Sequence, residues 1–510
     1  MKSKFFILFT IITLMIGTIC EAATLTIYHT NDMHSRISSD DEGGESIGLA
    51  EISAVVRNAK QSDRNTLWLD AGDTLHGMPG INISLGQNMV SVLNQSPLDA
   101  ITPGNHDYNY GVKRLQYLAK HLKADVLSAN TLTLGERTDY TFKPYKIYKL
   151  DGIRVGVFGL TTPETAYKSH PKNTEGVQFL NPIDQAKLVV ADLKGKCDIV
   201  VALMHMGLDN SSEFTSELIA RSVQGIDVII DGHSHTYLPE GLRVGDTLIA
   251  QTGCHGKALG KVQIDINDGV ITSETAQLLN KDQLYQICPN PDIKIQKILD
   301  KINQRNEKLF STVVTHSDRE LTGDRLIVRC QESELGNLCA DAFKWRTNAD
   351  IAICNGGDLR TSLPAGDVTR RDIMSVMPFG NTIQMAEVSG KVIKDMLEHS
   401  VFGYPAAFGG FLNVSGLTFT FDPSLPIGNR VSEVYVGDSP LDYNHIYTLA
   451  ATDFILAGGD DYTMLKDSKI VGEFETGESM VIDYMNQVGM SNIKVGRITL
   501  ISAIKVQEAA

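Results

Sequence analysis

Short runs of Val, Ile and Leu recur along the first half of the chain, each giving way at once to a polar cluster, with helical spacing between them. Leu25-Thr26-Ile27-Tyr28 alternates as a strand does and runs into His29-Thr30-Asn31-Asp32-Met33-His34. Thr66-Leu67-Trp68-Leu69 ends in Asp70-Ala71-Gly72-Asp73, and the run ending at Ile101-Thr102-Pro103 turns into Gly104-Asn105-His106-Asp107. Ile199-Val200-Val201-Ala202-Leu203-Met204 ends in His205-Met206-Gly207, and Val228-Ile229-Ile230 ends in Asp231-Gly232-His233-Ser234-His235. Residues 48–60 and 111–122 carry apolar positions at helical spacing. Alternating strands and helices predict an α/β sheet, in which chemistry gathers at the carboxyl ends of the strands, so these polar clusters can converge although far apart in sequence.

Residues 291–310 hold Ile, Leu and charges at helical spacing with no Gly or Pro after Pro291, which predicts a long helix connecting two domains. Beyond it the vocabulary changes. Residues 329–345 read as a helix, Ile351-Ala352-Ile353-Cys354 as a strand, and Gly-rich stretches follow around Gly356-Gly357, Gly409-Gly410 and Gly458-Gly459. The expected division is a leader over 1–23, a first domain over 24–285, a linker helix over 286–310 and a second α/β domain over 311–507. A length of 510 residues agrees with more than one core.

Composition narrows the function. With 42% apolar and 21% charged residues the chain is an ordinary globular protein. A net charge of -15 argues against a nucleic-acid polymer as partner, because a phosphate backbone calls for clustered Lys and Arg. A small anion stays compatible, since a metal pair and one or two arginines set the local field. Lys2 and Lys4, an apolar run and small residues near Ala22-Ala23 read as a signal peptide, so the mature protein is expected to be periplasmic or secreted, with no membrane span after cleavage. Removing the leader leaves Cys197, Cys254, Cys288, Cys330, Cys339 and Cys354, an even set for which at least one disulfide is expected in an oxidising compartment.

Asp32, His34, Asp73, Asn105, His205, His233 and His235 are hard and borderline donors delivered from several strand ends, which is how a binuclear metal centre is assembled. Taken together and in this order, they resemble the signature of calcineurin-like metallophosphoesterases, which implies a four-layer sandwich. The resemblance implies that Asp32, His34 and His235 hold one metal, that Asn105, His205 and His233 hold the other, and that Asp73 bridges them. The two divalent cations would be zinc, manganese, cobalt or iron, activating water for attack on phosphorus. His106 would assist at the phosphoryl group or the leaving oxygen. His29 reads as a packed residue, His76 matches no ligand position, and Cys254-His255 reads as a loop over the edge of the site.

The second half carries Asn355-Gly356-Gly357-Asp358-Leu359-Arg360, Met377-Pro378-Phe379-Gly380-Asn381, Phe411-Leu412-Asn413-Val414-Ser415-Gly416 and Phe454-Ile455-Leu456-Ala457-Gly458-Gly459-Asp460. With these the whole mature chain resembles the exported 5′-nucleotidase family. The resemblance implies a nucleotide substrate presented across an interdomain cleft. Phe411 and Phe454 would sandwich the base, Asp460 would accept from ribose hydroxyls, and Arg360 would meet the phosphate. Two positions depart from the family. Asn109 stands where relatives have an acidic residue that orients the active-site histidine; it can still hydrogen-bond the ring without stabilising its charged form. Gly403 stands where relatives can carry a phosphate-directed arginine, a loss that Arg370 and Arg371 would make good. The Asn109 variant also resembles bacterial 2′,3′-cyclic-nucleotide phosphodiesterases with 3′-nucleotidase activity, the alternative function; a non-catalytic binding protein fits less well because every ligand position is filled.

Overall fold

The computed structural model describes residues 23–39, 44–135, 139–169, 171–209, 212–267, 270–490 and 493–501. Two six-stranded sheets stack at the centre of the first half. One runs Val270–Leu279, Leu259–Asn267, Ala23–Thr30, Thr66–Asp70, Ala100–Ile101, Asp125–Val126; the other runs Leu242–Val244, Thr247–Ala250, Val228–Ile230, Ile199–His205, Arg154–Thr161, Tyr145–Lys149. Side chains alternate along a strand. Leu25, Ile27, Leu67 and Leu69 of the first sheet therefore meet Val155, Val157, Val201 and Leu203 of the second in one buried cluster. Their neighbours point outward: Tyr28 and Trp68 pack under Leu49–Ser62, Gln87–Leu93 and Val112–His121, while Phe158, Ala202 and Met204 pack under Pro182–Leu193 and Ser216–Ser222. The order is helix, sheet, sheet, helix, the four layers expected.

The central strands are parallel, with Thr30 opposite Asp70, Leu69 opposite Ala100, His205 opposite Thr161 and Leu203 opposite Ile230. Their carboxyl ends therefore come out on one edge, and every polar cluster read from the sequence opens there. Helix Ile293–Phe310 starts on Asp292, whose side chain accepts from Lys294 N. Ile295, Leu299 and Ile302 recur at helical spacing and sink into the helical layer of the first half. This helix is thus packed along its length.

In the second half a five-stranded sheet runs Leu412–Ser415, Ile351–Asn355, Ile446–Thr452, Thr382–Ser389, Lys469–Thr476. Glu334–Thr347 and Gly477–Gln487 cover one face. Gly390–Ser400 and strand Leu417–Phe421 of a four-stranded sheet cover the other. The halves meet through Asn82 Nδ2 donating to Pro378 O at 2.6 Å and through an Arg371–Glu307 ion pair at 2.8 Å.

The disulfide expectation is corrected: none of the six cysteines outside the leader is in a disulfide. They are dispersed through both halves, and even Cys354, which hydrogen-bonds Cys339 in the second-half core, is a thiol raised well above its usual pKa by that bond and by burial. Apart from Ala23, the expected leader lies outside the described residues. Among the described residues no helix is long and apolar enough to cross a membrane.

Candidate functional site

The strand ends reach the site through tight loops that buried aspartates hold in place. Asp70 accepts from Thr30 Oγ1, Thr74 Oγ1 and Gly72 N, and Asp231 accepts from Met206 N and Gly207 N. Asp107 accepts from the backbone N–H groups of Asp73, Thr74, Leu75 and Gly104, tying two of the loops together. Burial, with Asp73 adding, pushes Asp107 up to about 7. Gly104 is required by close approach, since a Cβ there would stand 2.2 Å from Asp73 Oδ1. Asp32, His34, Asp73, His233 and His235 all have positive φ, between 43° and 80°. Left-handed backbone at non-glycine residues costs energy and clusters at functional sites.

These loops gather all seven residues proposed from the sequence as ligands. Donor atoms of Asp32, His34 and His235 lie within 4.8 Å of one another, as do those of Asp32, Asp73 and His205. His34 Nε2 faces His235 Nε2 at 3.1 Å, and Asp32 Oδ1 is enclosed without a hydrogen-bond donor, 3.4 Å from His235 Nε2. His205 Nε2 is 3.3 Å from both Asp73 Oδ2 and Asn105 Oδ1, and His233 Nδ1 is 2.9 Å from Asn105 Oδ1. Lone pairs that face one another in a buried cage suit a bound cation.

The surrounding bonds fix which nitrogens point inward. His205 Nδ1 lies 2.7 Å from Ala71 O and His233 Nε2 lies 3.1 Å from Glu164 Oε2, so each ring gives its far nitrogen to an acceptor, as metal-bound histidines do. The field agrees. Burial lowers the histidine values, yet Asp73 and Asp32 hold His205 up to about 10, while Cys254 and Asp32 hold His235 up to about 9. Although burial opposes it, His205 and His106 keep Asp73 well below the usual carboxylate range. The cage therefore attracts positive charge, and this donor set fits two divalent cations. Asp32 belongs to both clusters, and Asp73 to the second.

His106 lies beside the cage. Its backbone N–H donates to Asp73 Oδ1 at 2.7 Å, and Asn109 Nδ2 reaches its ring Nδ1 at 3.2 Å. Burial, opposed by Asp73 and aided by Arg360, lowers its pKa to about 4. The ring stacks at 5.2 Å on Phe379 from the second half, which also stacks on His76 at 5.7 Å and lies under the Arg360 guanidinium. Phe379 was visible only as part of a motif. His76 is buried, 3.4 Å from Asn109 Nδ2. His29 is packed in the sheet, its pKa lowered to about 3 by burial. His255, read from sequence as an edge loop, stands 5.6 Å from the His34 ring.

A cleft opens from this centre between the halves and is lined by Asp73, Asn105, His106, His233, His235, Arg360, Phe454 and Asp460. Phe411 is not among its walls. It is 2% exposed inside the second-half core, because the chain turns inward at Gly410 to enter strand Leu412–Ser415. Phe408, three residues earlier and still in the loop, lines the cleft with Phe402, and these two rings meet edge to face at 4.8 Å. Phe454, which also lines the cleft, is seated on Gly459, where a Cβ would come 2.5 Å from its ring. Arg370 and Arg371 do not line the cleft either. Arg371 is held by Glu307 and lies over Phe310, whereas Arg325 and Arg329 face the substrate space. Arg325 Nη1 stands 3.4 Å from His235 Nδ1. Its signal, an arginine one residue after the helix-capping Asp324, is too common to have been singled out.

Comparison with known proteins accounts for this arrangement. The family model described as calcineurin-like phosphoesterase matches residues 25–237, and that described as 5′-nucleotidase, C-terminal domain, matches residues 313–467. The snake venom 5′-nucleotidase of Crotalus adamanteus is 30% identical over 525 residues, covering 91% of this chain and 86% of its own length. The trifunctional nucleotide phosphoesterase protein YfkN of Bacillus subtilis is 30% identical over 492 residues, but the chain spans only 32% of its length. The crystal structure of the 5′-nucleotidase precursor from Thermus thermophilus superposes with a TM-score of 0.80 at 30% identity, over 94% of this chain and all of that one. A metallophosphoesterase half joined to a substrate-facing second half, matched along nearly the whole chain, places this protein in the 5′-nucleotidase family, whose phosphoesterase domain works with divalent metal ions.

Proposed function

We propose that the protein is an exported hydrolase that releases phosphate from nucleoside 5′-monophosphates. The observation that carries this reading is the cleft that the Asp32–Asp73–histidine cage shares with Arg360, Asp460 and the rings of Phe454 and Phe408. Asp32, His34 and His235 would hold one divalent cation and Asn105, His205 and His233 a second, with Asp73 bridging. Such a pair, when bound, supplies an activated water and charge neutralisation at phosphorus.

The chain's own residues do the rest. Phe408 and Phe454 grip the base between two rings, and Asp460 accepts from ribose hydroxyls. Arg360, with Arg325 and Arg329 near it, draws the phosphate dianion to the cage. His106 donates from Nε2 toward the phosphoryl or leaving oxygen, because Asn109 occupies its other nitrogen. The Asn109 position favours a second reading, a 2′,3′-cyclic-nucleotide phosphodiesterase with 3′-nucleotidase activity. Chromatography of the nucleotide and nucleoside products formed from AMP, 3′-AMP and 2′,3′-cyclic AMP separates the two, since opening the cyclic ester gives a monophosphate before any phosphate is released. AMP is expected to give the highest kcat/KM, and a preference for the cyclic ester would transfer the protein to the second class. Export is tested by following the processed chain into the periplasm or medium.

A further inference from the structure

On the ribose side of the cleft, Asn355, Asp358 and Asp460 form a buried polar group that hydrolysis itself does not explain. Strand Ile351–Asn355 runs into the short turn Gly356–Asp358, and i, i+3 spacing on such a turn sets Asn355 beside Asp358. Asp460 comes from the opposite loop, its backbone in the left-handed region at φ 48°. Asn355 Nδ2 donates to Asp460 Oδ2 at 3.2 Å. Asp358 is 3% exposed although it borders the cleft. Its Oδ2 and the neighbouring Asn355 Oδ1 are both fully enclosed and both lack a hydrogen-bond partner.

Two acceptors without a donor are costly in a closed environment, and an ionised carboxylate among them costs more. The charged and titratable groups around Asp358 are Asp460, Asp453, Arg360 and Arg329, with the Cys354 thiol behind it. Burial, then Asp460 and Asp453, push Asp358 up to about 8, and Arg360 and Asn355 oppose this only in part. A neutral carboxyl group supplies the donor that the two enclosed oxygens lack.

We propose that Asp358 is a positioning residue that holds its proton on Oδ2, orients the Asn355 amide, and so presents Asp460 as the one carboxylate aimed at the ribose hydroxyls. This rests on the nucleotide reading of the cleft. Because its pKa is raised, the neutral form persists below about pH 8 and is lost as pH rises through that value. Ionisation would then place a second negative charge beside Asp460 and leave Asn355 Oδ1 without its donor, so ribose binding weakens while chemistry at the metals does not.

The test is KM and kcat for AMP and for 4-nitrophenyl phosphate, which has no ribose, from pH 6 to 10, in the wild type, Asp358→Asn and Asp358→Ala, with melting curves to establish folding. Wild-type KM for AMP is expected to rise by up to about tenfold per pH unit above about pH 8, a rise absent with 4-nitrophenyl phosphate. Asp358→Asn, which keeps a donor and cannot ionise, should abolish that rise. Asp358→Ala should raise KM for AMP by roughly tenfold or more at pH 7 with kcat little changed. An alkaline rise surviving in Asp358→Asn, a wild-type KM for AMP that does not depend on pH, or equal damage to both esters in Asp358→Ala overturns the inference alone. Cleavage of 4-nitrophenyl phosphate with none of AMP overturns the nucleotide reading and this role together.

Discussion

Replacing Asn109 by Asp exchanges a hydrogen-bond donor for an acceptor at the inner nitrogen of His106. Asn109 Oδ1 accepts from Ser169 Oγ at 3.0 Å, which turns Nδ2 toward His106 Nδ1 at 3.2 Å. Nδ1 therefore accepts, and the neutral ring keeps its hydrogen on Nε2. With a pKa near 4 the ring stays neutral through the ordinary assay range, and bound dications act in the same sense as burial. A carboxylate at this place would take Nδ1–H and stabilise the charged ring, raising its pKa by about one to three units. The Nε2–H donor would then exist only in the charged form, present below the new pKa and lost above it. The assay is kcat/KM for AMP from pH 5 to 9. The wild type should show no ionisation of His106 in that window. Asn109→Asp should fall by about tenfold per pH unit above its new pKa, levelling near His106→Ala, which is itself expected about 10²–10³ below the wild type. A wild-type profile in Asn109→Asp, with His106→Ala damaging, would refute the reasoning. So would ring-nitrogen chemical shifts placing the wild-type hydrogen on Nδ1.

Phe408→Ala and Phe454→Ala should each raise KM for AMP by the equivalent of about 1–3 kcal/mol and leave a base-free ester nearly unaffected. Phe411→Ala should instead lower stability by about 3–5 kcal/mol in a denaturant melt, as loss of a core ring does. Arg325→Ala should raise KM for AMP roughly fivefold, the modest effect of an exposed cation, with metal content unchanged; loss of metal would show that it supports His235 instead. Asp107→Ala leaves four backbone N–H groups without their acceptor, at about 1–3 kcal/mol for each that stays enclosed, so melting temperature and metal content should fall together. An unchanged melt would mean the loops do not depend on it.

The metal cage was legible because each donor follows an apolar run, and parallel strands deliver such positions to one edge. The second half was harder. The run Phe411-Leu412-Asn413-Val414 places a phenylalanine at the mouth of a strand, and only the inward turn at Gly410 decides that Phe411 enters the core while Phe408 keeps to the loop. Arg325 and Glu164 were missed for a different reason, and Phe379 stood out only inside a motif. Arg325 and Phe379 come from the second half to His235 and His106, and Glu164 comes from another loop of the first half to His233, and linear spacing carries no information about such approaches. The cysteines looked like a disulfide set because an even count and a leader point to oxidation, but a count carries no information about the geometry a bridge requires, and even the contacting Cys339 and Cys354 are unbridged.

The account stands or falls on the paired metals held by Asp32, Asp73, Asn105 and the histidines. The most direct measurement is elemental analysis of the wild type and Asp73→Asn, each chelated, reloaded with divalent cation and assayed on AMP in parallel. Two ions per wild-type chain are expected, with hydrolysis lost on chelation and restored on reloading. Asp73→Asn should retain one ion or none and be inactive, since an amide lacks the charge and the second oxygen needed to bridge two dications. Full metal loading and near-normal turnover in Asp73→Asn, or wild-type hydrolysis indifferent to chelation that removes the metal, would contradict it.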